Sequence, residues 1–334
     1  PRQDKIQGFQ RHWPTASDTP MQVFRTPFRP NPTGCAVTIG NFDGVHRGHQ
    51  AMLQKLVAKA HALKLPAAVM TFEPHPREVF TPDAAPARLT SLREKLERLA
   101  GHGVDQVWIC HFNRDFAALG ADAFVSDILC HQLGARYVLI GDDFQFGAKR
   151  AGNLATLQAA AAAHGFEVEA MHSVCVDELR ASSTAVREAL ASGDLELAQS
   201  LLGRPYSISG RVLHGDKIGR TLGFPTANIQ VKHNKPPLLG VCVVEVHGLA
   251  CGPRQGVASL GVRPTINNKG KLSLEVNIFD FQQEIYGEHL RIDFLHKLRD
   301  EEKYTDLETL TEAIARDVAD SHEFFATRTG RLSK

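Results

Sequence analysis

Short apolar runs alternate with amphipathic segments along the first half of the chain. Five runs of strand length occur at residues 35–40, 67–72, 106–112, 136–141 and 166–171. The segments between them carry apolar residues at helical spacing, and they begin near Gly48, Ser91, Ala121 and Asn153. This alternation favours an α/β fold in which helices cover both faces of a parallel sheet. Ligands bind beyond the carboxyl ends of such strands, so we expect a site in the loops after Gly40 and Ile140.

The pattern changes after a short helical segment at residues 194–202. Five further strand-like runs, separated by Gly, Pro and Asn, occur at residues 207–215, 240–248, 256–262, 272–281 and 289–295. Apolar residues return to helical spacing from Leu307 onward, as far as about Phe325. The pattern predicts an antiparallel β-barrel followed by a terminal helix. We therefore expect a first domain at residues 21–192, a linker at 193–206 and a second domain at 207–334.

Length and composition are typical of a two-domain globular protein. The chain has 334 residues, of which 43% are hydrophobic and 22% are charged. A net charge of +1 indicates no general polyanion-binding surface, so we expect no nucleic acid partner. The longest apolar runs are too short to cross a bilayer, so we expect no membrane partner either. Residues 1–20 are polar and lack the apolar stretch of a secretory signal. The sequence leaves open whether these residues are native, and it does not predict an oligomeric state.

The six cysteines form no CxxC pair and have no metal-ligand spacing. Several lie inside apolar runs, where a cysteine usually behaves as a small hydrophobic residue. We therefore expect buried thiols in a reducing cytoplasm rather than a redox or metal site.

The first strand ends in GNFDGVHRGHQ, residues 40–50, and a helix follows at once. Gly44 and Gly48 allow a tight turn and a close approach to a ligand, and the free N–H groups of a helix N-terminus favour phosphate. His46 and His49 lie three residues apart and share a helix face, where two imidazoles can stabilise the charge that develops on an α-phosphate. No covalent intermediate is required, because transfers of this type depend mainly on positioning and electrostatics. The alternative is that both histidines lie on the surface and the glycines only turn the chain.

HRGH between a strand and a helix resembles the HxGH signature of the nucleotidylyltransferase superfamily. Class I aminoacyl-tRNA synthetases share a version of it, but their KMSKS loop is absent here. The stretch RASSTAVR, residues 180–187, resembles the SSTxxR motif of the nucleotidylyltransferases. The resemblance implies that the phosphates of ATP are bound by Gly40, Asn41, Phe42, Asp43, Gly48, Arg180, Ser182, Ser183, Thr184 and Arg187. Taken alone, SST would be only a helix cap.

Two further stretches resemble the bacterial bifunctional riboflavin kinase/FAD synthetases, whose N-terminal half transfers AMP from ATP to FMN. They are TFEPHP, residues 71–76, and GDDFQFGAKRAGN, residues 141–153. The resemblance implies a Rossmann-like nucleotidylyltransferase domain in which nucleotide and flavin are bound by His75, Asp143, Phe144, Phe146 and Arg150. The two phenylalanines can equally be core residues, and we expect Gly147 and Gly152 only to shape the loop.

The second half lacks the GxxxxGK(S/T) sequence of a P-loop kinase. Instead GRTLGFPTANI, residues 219–229, resembles the riboflavin kinase motif. The resemblance implies that ATP is bound by Gly219, Gly223, Phe224, Thr226 and Asn228. Thr226 and Asn228 also offer the oxygen ligands that Mg²⁺ prefers, and we expect Mg²⁺ to arrive with ATP. Taken alone, PTAN would be a turn that enters a strand.

Three later stretches follow at the spacing of riboflavin kinases: GVRPT at 261–265, LEVNIFDF at 274–281 and LRDEEKY at 298–304. In those enzymes the glutamate of the second stretch is the general base for the ribityl 5′-hydroxyl, which makes Glu275 the candidate here. The alternative is a solvent-facing glutamate on a half-exposed strand. Two departures concern flavin packing, because Cys242 replaces a usual aromatic residue and Asn277 replaces a common histidine.

The resemblance covers the chain from about Met21 and implies a bifunctional enzyme. It would phosphorylate riboflavin to FMN with ATP, and then transfer the adenylyl group of ATP to FMN, giving FAD and pyrophosphate. The candidate catalytic residues are His46, His49 and Glu275. One alternative is an adenylyltransferase that acts on another phosphate-bearing metabolite and uses its C-terminal barrel only to bind a ligand. The other is a flavin-sensing protein without catalysis.

Overall fold

The computed structural model describes residues 20–26, 28–215, 222–232, 235–263 and 271–332. Contacts between Cα atoms divide the chain into two compact units. The first contains the described residues up to Pro86 together with Leu92–Ala181, and the second contains Ala87–Ser91 and the chain from Ser182 onward. The bounds 21–192, 193–206 and 207–334 stay predictions.

The first unit is built on a six-stranded parallel sheet. Its strands are β1 (Gln22–Arg25), β2 (Cys35–Ile39), β3 (Ala67–Glu73), β4 (Gln106–His111), β5 (Ala135–Gly141) and β6 (Glu167–Met171). They lie in the order β1-β4-β3-β2-β5-β6, and all neighbouring pairs are parallel. Strands β2 to β6 confirm the five predicted strands. The edge strand β1 was not predicted, because three of its four residues are exposed and it lacks a buried apolar run.

Helices connect these strands. They are α1 (Arg47–Leu63), α2 (Pro76–Phe80), α3 (Leu92–Gly101), α4 (Arg114–Ala117), α5 (Ala121–Ala123) with a π-helix directly after it (Phe124–Gln132), and α6 (Leu154–His164). The limits of α6 match the sequence pattern, because the Asn153 side chain accepts the N–H of Thr156 and Gly165 ends the helix at φ 71°. Helices α2 and α4 are too short for a periodic signal. A short hairpin, β7 (Cys175–Val176) and β8 (Leu179–Arg180), follows β6.

Three of the six cysteines are buried in the cores of the two units. Cys35 and Cys110 lie in the core of the first unit, and burial raises the pKa of each thiol to about 12. Cys242 is buried in the second unit with the same effect on its pKa. The expectation of buried thiols is wrong for Cys175 and Cys251, which are exposed because they lie in a hairpin and a turn.

The second unit begins with two helices, α7 (Ser183–Ser192) and α8 (Leu195–Leu202). Its strands are β9 (Tyr206–Leu213), β10 (Thr226–Ile229), β11 (Gly240–His247), β12 (Arg254–Arg263), β13 (Lys271–Ile278) and β14 (His289–Arg299). They form a closed barrel in the order β10-β13-β12-β11-β14-β9, with all neighbours antiparallel. The predicted antiparallel barrel is therefore confirmed.

The terminal helix α9 (Leu307–Leu332) extends beyond the predicted end near Phe325. It packs on the barrel, where Val318 and Phe325 join a cluster with Val243 and Val257. Within the described ranges, no helix is long and apolar enough to span a membrane.

Candidate functional site

The loop between β2 and α1 holds the first candidate site, at the carboxyl edge of the parallel sheet. Its first residue, Gly40, donates its N–H to the backbone of β3, and the Thr71 hydroxyl of β3 donates to the carbonyl of Asn41 at 3.2 Å. Phe42 and Val45 are buried and have positive φ values of 47° and 44°. Such conformations cost energy in residues other than glycine, so the surrounding packing must hold this loop in place.

The two predicted histidines meet at the start of α1. His46 is the residue before the helix and His49 lies in its first turn. Their rings stack with centroids 3.7 Å apart, and the ring of Phe42 lies 4.7 Å from that of His49. His46 is buried and His49 is half-buried, so neither is an ordinary surface residue. Burial lowers the pKa of His49 well below its usual value, and the charges of His46 and Lys95 lower it further, so its imidazole is neutral at pH 7.

Buried polar atoms mark this loop as a place for a ligand. Among the described residues, Asn41 Oδ1 and His49 Nδ1 are buried side-chain atoms without a hydrogen-bond partner. Native proteins rarely leave such atoms unpaired, because each costs about 1–3 kcal/mol. Gly48 allows this close packing, since a Cβ atom there would lie 3.2 Å from the His46 ring. Asp43 of the same loop is also buried.

The other predicted residues of the first unit lie after β3 and β5. His75 is the N-cap residue directly before α2, and its Nδ1 accepts the N–H of Arg77 at 3.2 Å. Asp143 pairs with Arg180 at 2.6 Å, which raises the pKa of the guanidinium. Arg150 is exposed at the end of a 3₁₀ turn with φ 59°.

Phenylalanines form a continuous cluster at the same edge of the sheet, and we call it the phenylalanine cluster. Neighbouring rings have centroids 5.2 to 6.3 Å apart. Its members are Phe72, Phe80, Phe112, Phe116, Phe124, Phe144 and Phe146. Phe146 is a core residue at 6% exposure, whereas Phe144 is half-buried and Phe80 is 60% exposed. The sequence analysis predicted only two of these residues, Phe144 and Phe146, as part of the site. Phe72 and Phe112 could have been predicted for the site, because they stand at or next to the carboxyl ends of β3 and β4.

The two glycines of the β5–α6 loop shape it, as expected. Gly147 has φ 72°, and a Cβ atom there would lie 2.8 Å from the backbone of Ala121. The ring of Phe146 covers Gly152, where a Cβ atom would lie 2.6 Å from it.

The SSTxxR residues open α7. The Ser182 hydroxyl accepts the N–H of Ala185 at 3.1 Å, which caps the helix, and Ser183 and Thr184 form its first turn. Arg187 Nε donates to the carbonyl of Ala87 at 2.6 Å. The role of these residues in phosphate binding stays a prediction.

A cavity of about 320 Å³ lies within the second unit. Four residues predicted for the kinase line it: Phe224, Thr226, Asn228 and Glu275. Asn228 lies opposite Glu275 on neighbouring strands, and Ser259 lies opposite Glu275 on the other side. The Ser273 hydroxyl donates to Glu275 Oε1 at 3.2 Å. Glu275 therefore faces a cavity rather than bulk solvent. Gly223 has φ 85°, and Gly219 lies outside the described residues.

Other cavity residues were missed by the sequence reasoning or were noted only as departures. Asn277 donates from Nδ2 to the carbonyl of Pro225 at 2.8 Å, which holds the start of the PTAN stretch. The Ser259 hydroxyl donates to Glu301 at 3.1 Å. Arg299 and Asp317 also line the cavity. Asn277, Arg299 and Glu301 lie in stretches that resemble riboflavin kinases, but the resemblance gave them no role in a cavity. Ser259 and Asp317 lie outside those stretches.

The side chains of the cavity fit Mg²⁺. The described residues contain no group of three or more His, Cys, Asp or Glu that could hold a metal ion by themselves. Thr226, Asn228 and Glu275 nevertheless present oxygen donors to one cavity, and Mg²⁺ commonly binds through a few protein oxygens together with phosphates of the substrate.

Comparisons with known proteins agree for both units. The family model for FAD synthetase matches residues 28–185, and the one for riboflavin kinase matches residues 202–325. The bifunctional riboflavin kinase/FMN adenylyltransferase of Escherichia coli (strain K12) is 49% identical over 292 residues, which cover 87% of this chain and 93% of the relative. The enzyme of the same name from Haemophilus influenzae is 50% identical over 292 residues, with 87% and 94% covered.

The fold has a solved counterpart. A crystal structure described as a macrolide-efflux protein from Streptococcus pneumoniae superposes with a TM-score of 0.76 and 29% identity, covering 89% of this chain and 97% of that one. The two family models and the two relatives that match along most of their length show that the chain belongs to the bifunctional riboflavin kinase/FMN adenylyltransferases, which use ATP to convert riboflavin into FMN and FMN into FAD.

Proposed function

We propose that the two reactions take place at two separate sites. Adenylyl transfer to FMN takes place at the carboxyl edge of the parallel sheet, around His46 and His49. Phosphorylation of riboflavin takes place in the barrel cavity, with Glu275 as the base. The observation that carries this proposal is that His46 and His49 belong to the first compact unit, whereas Thr226, Asn228 and Glu275 belong to the second.

In the adenylyl-transfer site, a phosphate oxygen of FMN attacks the α-phosphorus of ATP, and pyrophosphate leaves. Negative charge builds on the non-bridging oxygens of the α-phosphoryl group, and the stacked imidazoles of His46 and His49 donate hydrogen bonds to them. Because His49 is neutral, it acts as a positioned donor rather than as an acid. The binding of the β- and γ-phosphates by Arg180, Ser182, Ser183, Thr184 and Arg187 rests on the motif alone.

The phenylalanine cluster supports a flavin subsite at this edge. Aromatic rings stack or pack edge-to-face at the centroid distances seen in the cluster, and a flavin ring can extend the same arrangement. Phe144 offers a partly exposed ring, and Phe146 supports it from the core at 5.7 Å. We therefore assign the flavin contact to Phe144 and a supporting role to Phe146.

In the kinase site, the Glu275 carboxylate accepts the proton of the ribityl 5′-hydroxyl as that oxygen attacks the γ-phosphorus of ATP, and ADP leaves. The Ser273 hydroxyl orients the carboxylate through its bond to Oε1. Thr226 and Asn228 would hold Mg²⁺ that enters with ATP. When bound, Mg²⁺ supplies charge that offsets the charge on the phosphates.

We also place the enzyme in a reducing cytoplasm. All six cysteines are free, including two exposed thiols that an oxidising compartment would leave open to pairing.

Two variants of the full chain test the assignment. Glu275→Gln should lower FMN formation from riboflavin by about 10²- to 10⁴-fold, because the base is lost, and it should leave FAD formation from FMN unchanged. His49→Ala should do the reverse, so that FMN accumulates. The measurement is the separation of flavins after incubation with Mg-ATP and either riboflavin or FMN.

Matched controls use the same substitutions outside the sites. Glu245→Gln alters a partly exposed glutamate of β11, and His61→Ala alters an exposed histidine in the last turn of α1. Both should retain both activities. The two-site assignment fails if Glu275→Gln or His49→Ala removes both activities from a folded protein.

A further inference from the structure

A lysine is buried beside the proposed adenylyl-transfer site. Lys95 belongs to α3 and is 3% exposed. Lysines almost always keep the ammonium group in water, because removing the charge from water costs several kcal/mol. The burial of this one therefore indicates a specific use for its charge or its hydrogen bonds.

The packing of α3 places Lys95 close to the loop that precedes α1. Leu96 and Leu99 of α3 belong to the same buried cluster as Phe42 and Val45 of that loop. Lys95 thus lies on the helix face that packs against the residues around the histidines.

A hydrogen-bonded connection leads from Lys95 to the loop itself. Lys95 Nζ lies 3.5 Å from Thr71 Oγ1, at the carboxyl end of β3. The same hydroxyl donates to the carbonyl of Asn41 at 3.2 Å. The ammonium group is therefore one side chain away from the backbone of the GNFDG sequence.

The charge of Lys95 also reaches His49. Burial lowers the pKa of the His49 imidazole most, and the charges of His46 and Lys95 lower it further. A cation that disfavours a proton on His49 also favours negative charge on a group hydrogen-bonded to that ring, because both effects follow from the sign of its electrostatic potential.

We propose that Lys95 is a positioning residue of the adenylyl-transfer reaction, a fixed buried cation whose field stabilises the negative charge that develops on the α-phosphoryl group bound at His46 and His49. The inference rests on the proposed location of that reaction. An FMN phosphate oxygen forms a bond to the α-phosphorus, the bond to the β-phosphate oxygen breaks, and pyrophosphate leaves with the electron pair. Lys95 acts through its charge from outside the reacting atoms, in surroundings where a preorganised charge is worth more than in water.

Lys95→Met in the full chain tests this proposal, because methionine keeps the length of the side chain and removes the charge. We expect the kcat of FAD formation from FMN to fall about tenfold or more, with KM for FMN and ATP changed less than about threefold. The riboflavin kinase activity of the same preparation should be unchanged, and the fluorescence of buried Trp108 should show that the first unit is folded.

Thr71→Val is the matched control, because it removes the link between Lys95 and Asn41 but keeps the charge. We expect the rate of FAD formation to stay within about threefold of that of the unaltered enzyme, because only one neutral hydrogen bond is lost. If Thr71→Val falls as far as Lys95→Met, or if Lys95→Met keeps its kcat, the proposal is overturned.

A second measurement follows the titration of His49. The ring protons of His49 are identified in the NMR spectrum as those missing from His49→Ala, and their shift is followed with pH in the unaltered chain and in Lys95→Met. We expect the pKa of His49 to be higher in Lys95→Met, because a cation that lowers it has been removed; the same titration in both proteins would overturn the proposal. Retention of FAD formation by His49→Ala would instead contradict the proposed site.

Discussion

The ion pair between Arg299 and Asp317 joins the end of β14 to α9. Arg299 Nε and Nη2 donate to the two carboxylate oxygens of Asp317 at 2.8 and 2.7 Å. The Asp317 side chain is 8% exposed and that of Arg299 is 25% exposed. Both residues line the kinase cavity, as do Leu310 and Ile314 of α9. The pair therefore holds the helix that forms one wall of that cavity.

Asp317→Asn keeps the shape of the side chain and removes its charge. Removing one partner of a fully buried pair costs about 3–5 kcal/mol, because the other charge is left uncompensated. Arg299 is a quarter exposed and also donates to the carbonyl of Asp300, so water and that bond offset part of the loss. We expect about 2 kcal/mol of lost stability in the second unit. With a urea dependence of about 2 kcal/mol per molar, the unfolding midpoint falls by about 1 M.

The chain offers a way to follow the units separately. Both tryptophans, Trp13 and Trp108, precede residue 182, so tryptophan fluorescence follows the first part of the chain. The riboflavin kinase activity that remains at each urea concentration reports the unfolding of the second unit. Asp317→Asn should move the loss of kinase activity by about 1 M urea and leave the tryptophan transition in place.

Asp300→Asn is the control for this prediction. Asp300 pairs with Lys297 at 2.6 Å, but its side chain is 86% exposed, so we expect a loss of no more than about 0.5 kcal/mol. The reasoning is refuted if Asp317→Asn shifts the kinase midpoint no further than Asp300→Asn, or if the tryptophan transition moves by the same amount.

Two further predictions follow from burial. In the native protein at pH 8, a thiol reagent should modify Cys175 and Cys251 first, whereas Cys35, Cys110 and Cys242, whose pKa values burial raises to about 12, should react only after unfolding; rapid reaction of the buried three would contradict the packing. Phe144→Ala should raise KM for FMN in FAD formation by about tenfold, because a ring contact of about 1.5 kcal/mol is lost, with kinase activity unchanged; an unaltered KM would remove Phe144 from the flavin subsite.

The sequence pattern predicted the elements whose burial is regular. Strands β2 to β5 are largely buried and read as apolar runs. Strand β10 was harder to recognise, because only Ile229 of its four residues is buried. The helix predicted after Ala121 is for the most part a π-helix, and the apolar spacing of Phe124–Gln132 does not distinguish the two forms.

The sequence predicted those site residues that belong to motifs. His46, His49, Thr226, Asn228 and Glu275 stand in recognisable strings, and the structure brings each set together. Lys95 stands in LREKLERL, where charged and apolar residues alternate as on any amphipathic helix. Its burial follows from how α3 packs on the loop before α1.

The cavity walls depend on tertiary contacts in the same way. Glu301 reaches the cavity because its carboxylate lies over Gly261, a position that a Cβ atom would occupy. Asp317 faces the barrel because Arg299 binds it there. Neither arrangement depends on local sequence, so residue patterns could not reveal them.

Mixing two variants tests most directly whether the two reactions have separate sites. Glu275→Gln and His49→Ala are each incubated with riboflavin and Mg-ATP, alone and then together in equal amounts, and FAD is measured. The account predicts almost no FAD from either variant alone and ready FAD formation by the mixture, because FMN released by one variant is adenylylated by the other. A mixture that makes FMN but no FAD, or a single variant that converts riboflavin to FAD as well as the unaltered enzyme does, would contradict it.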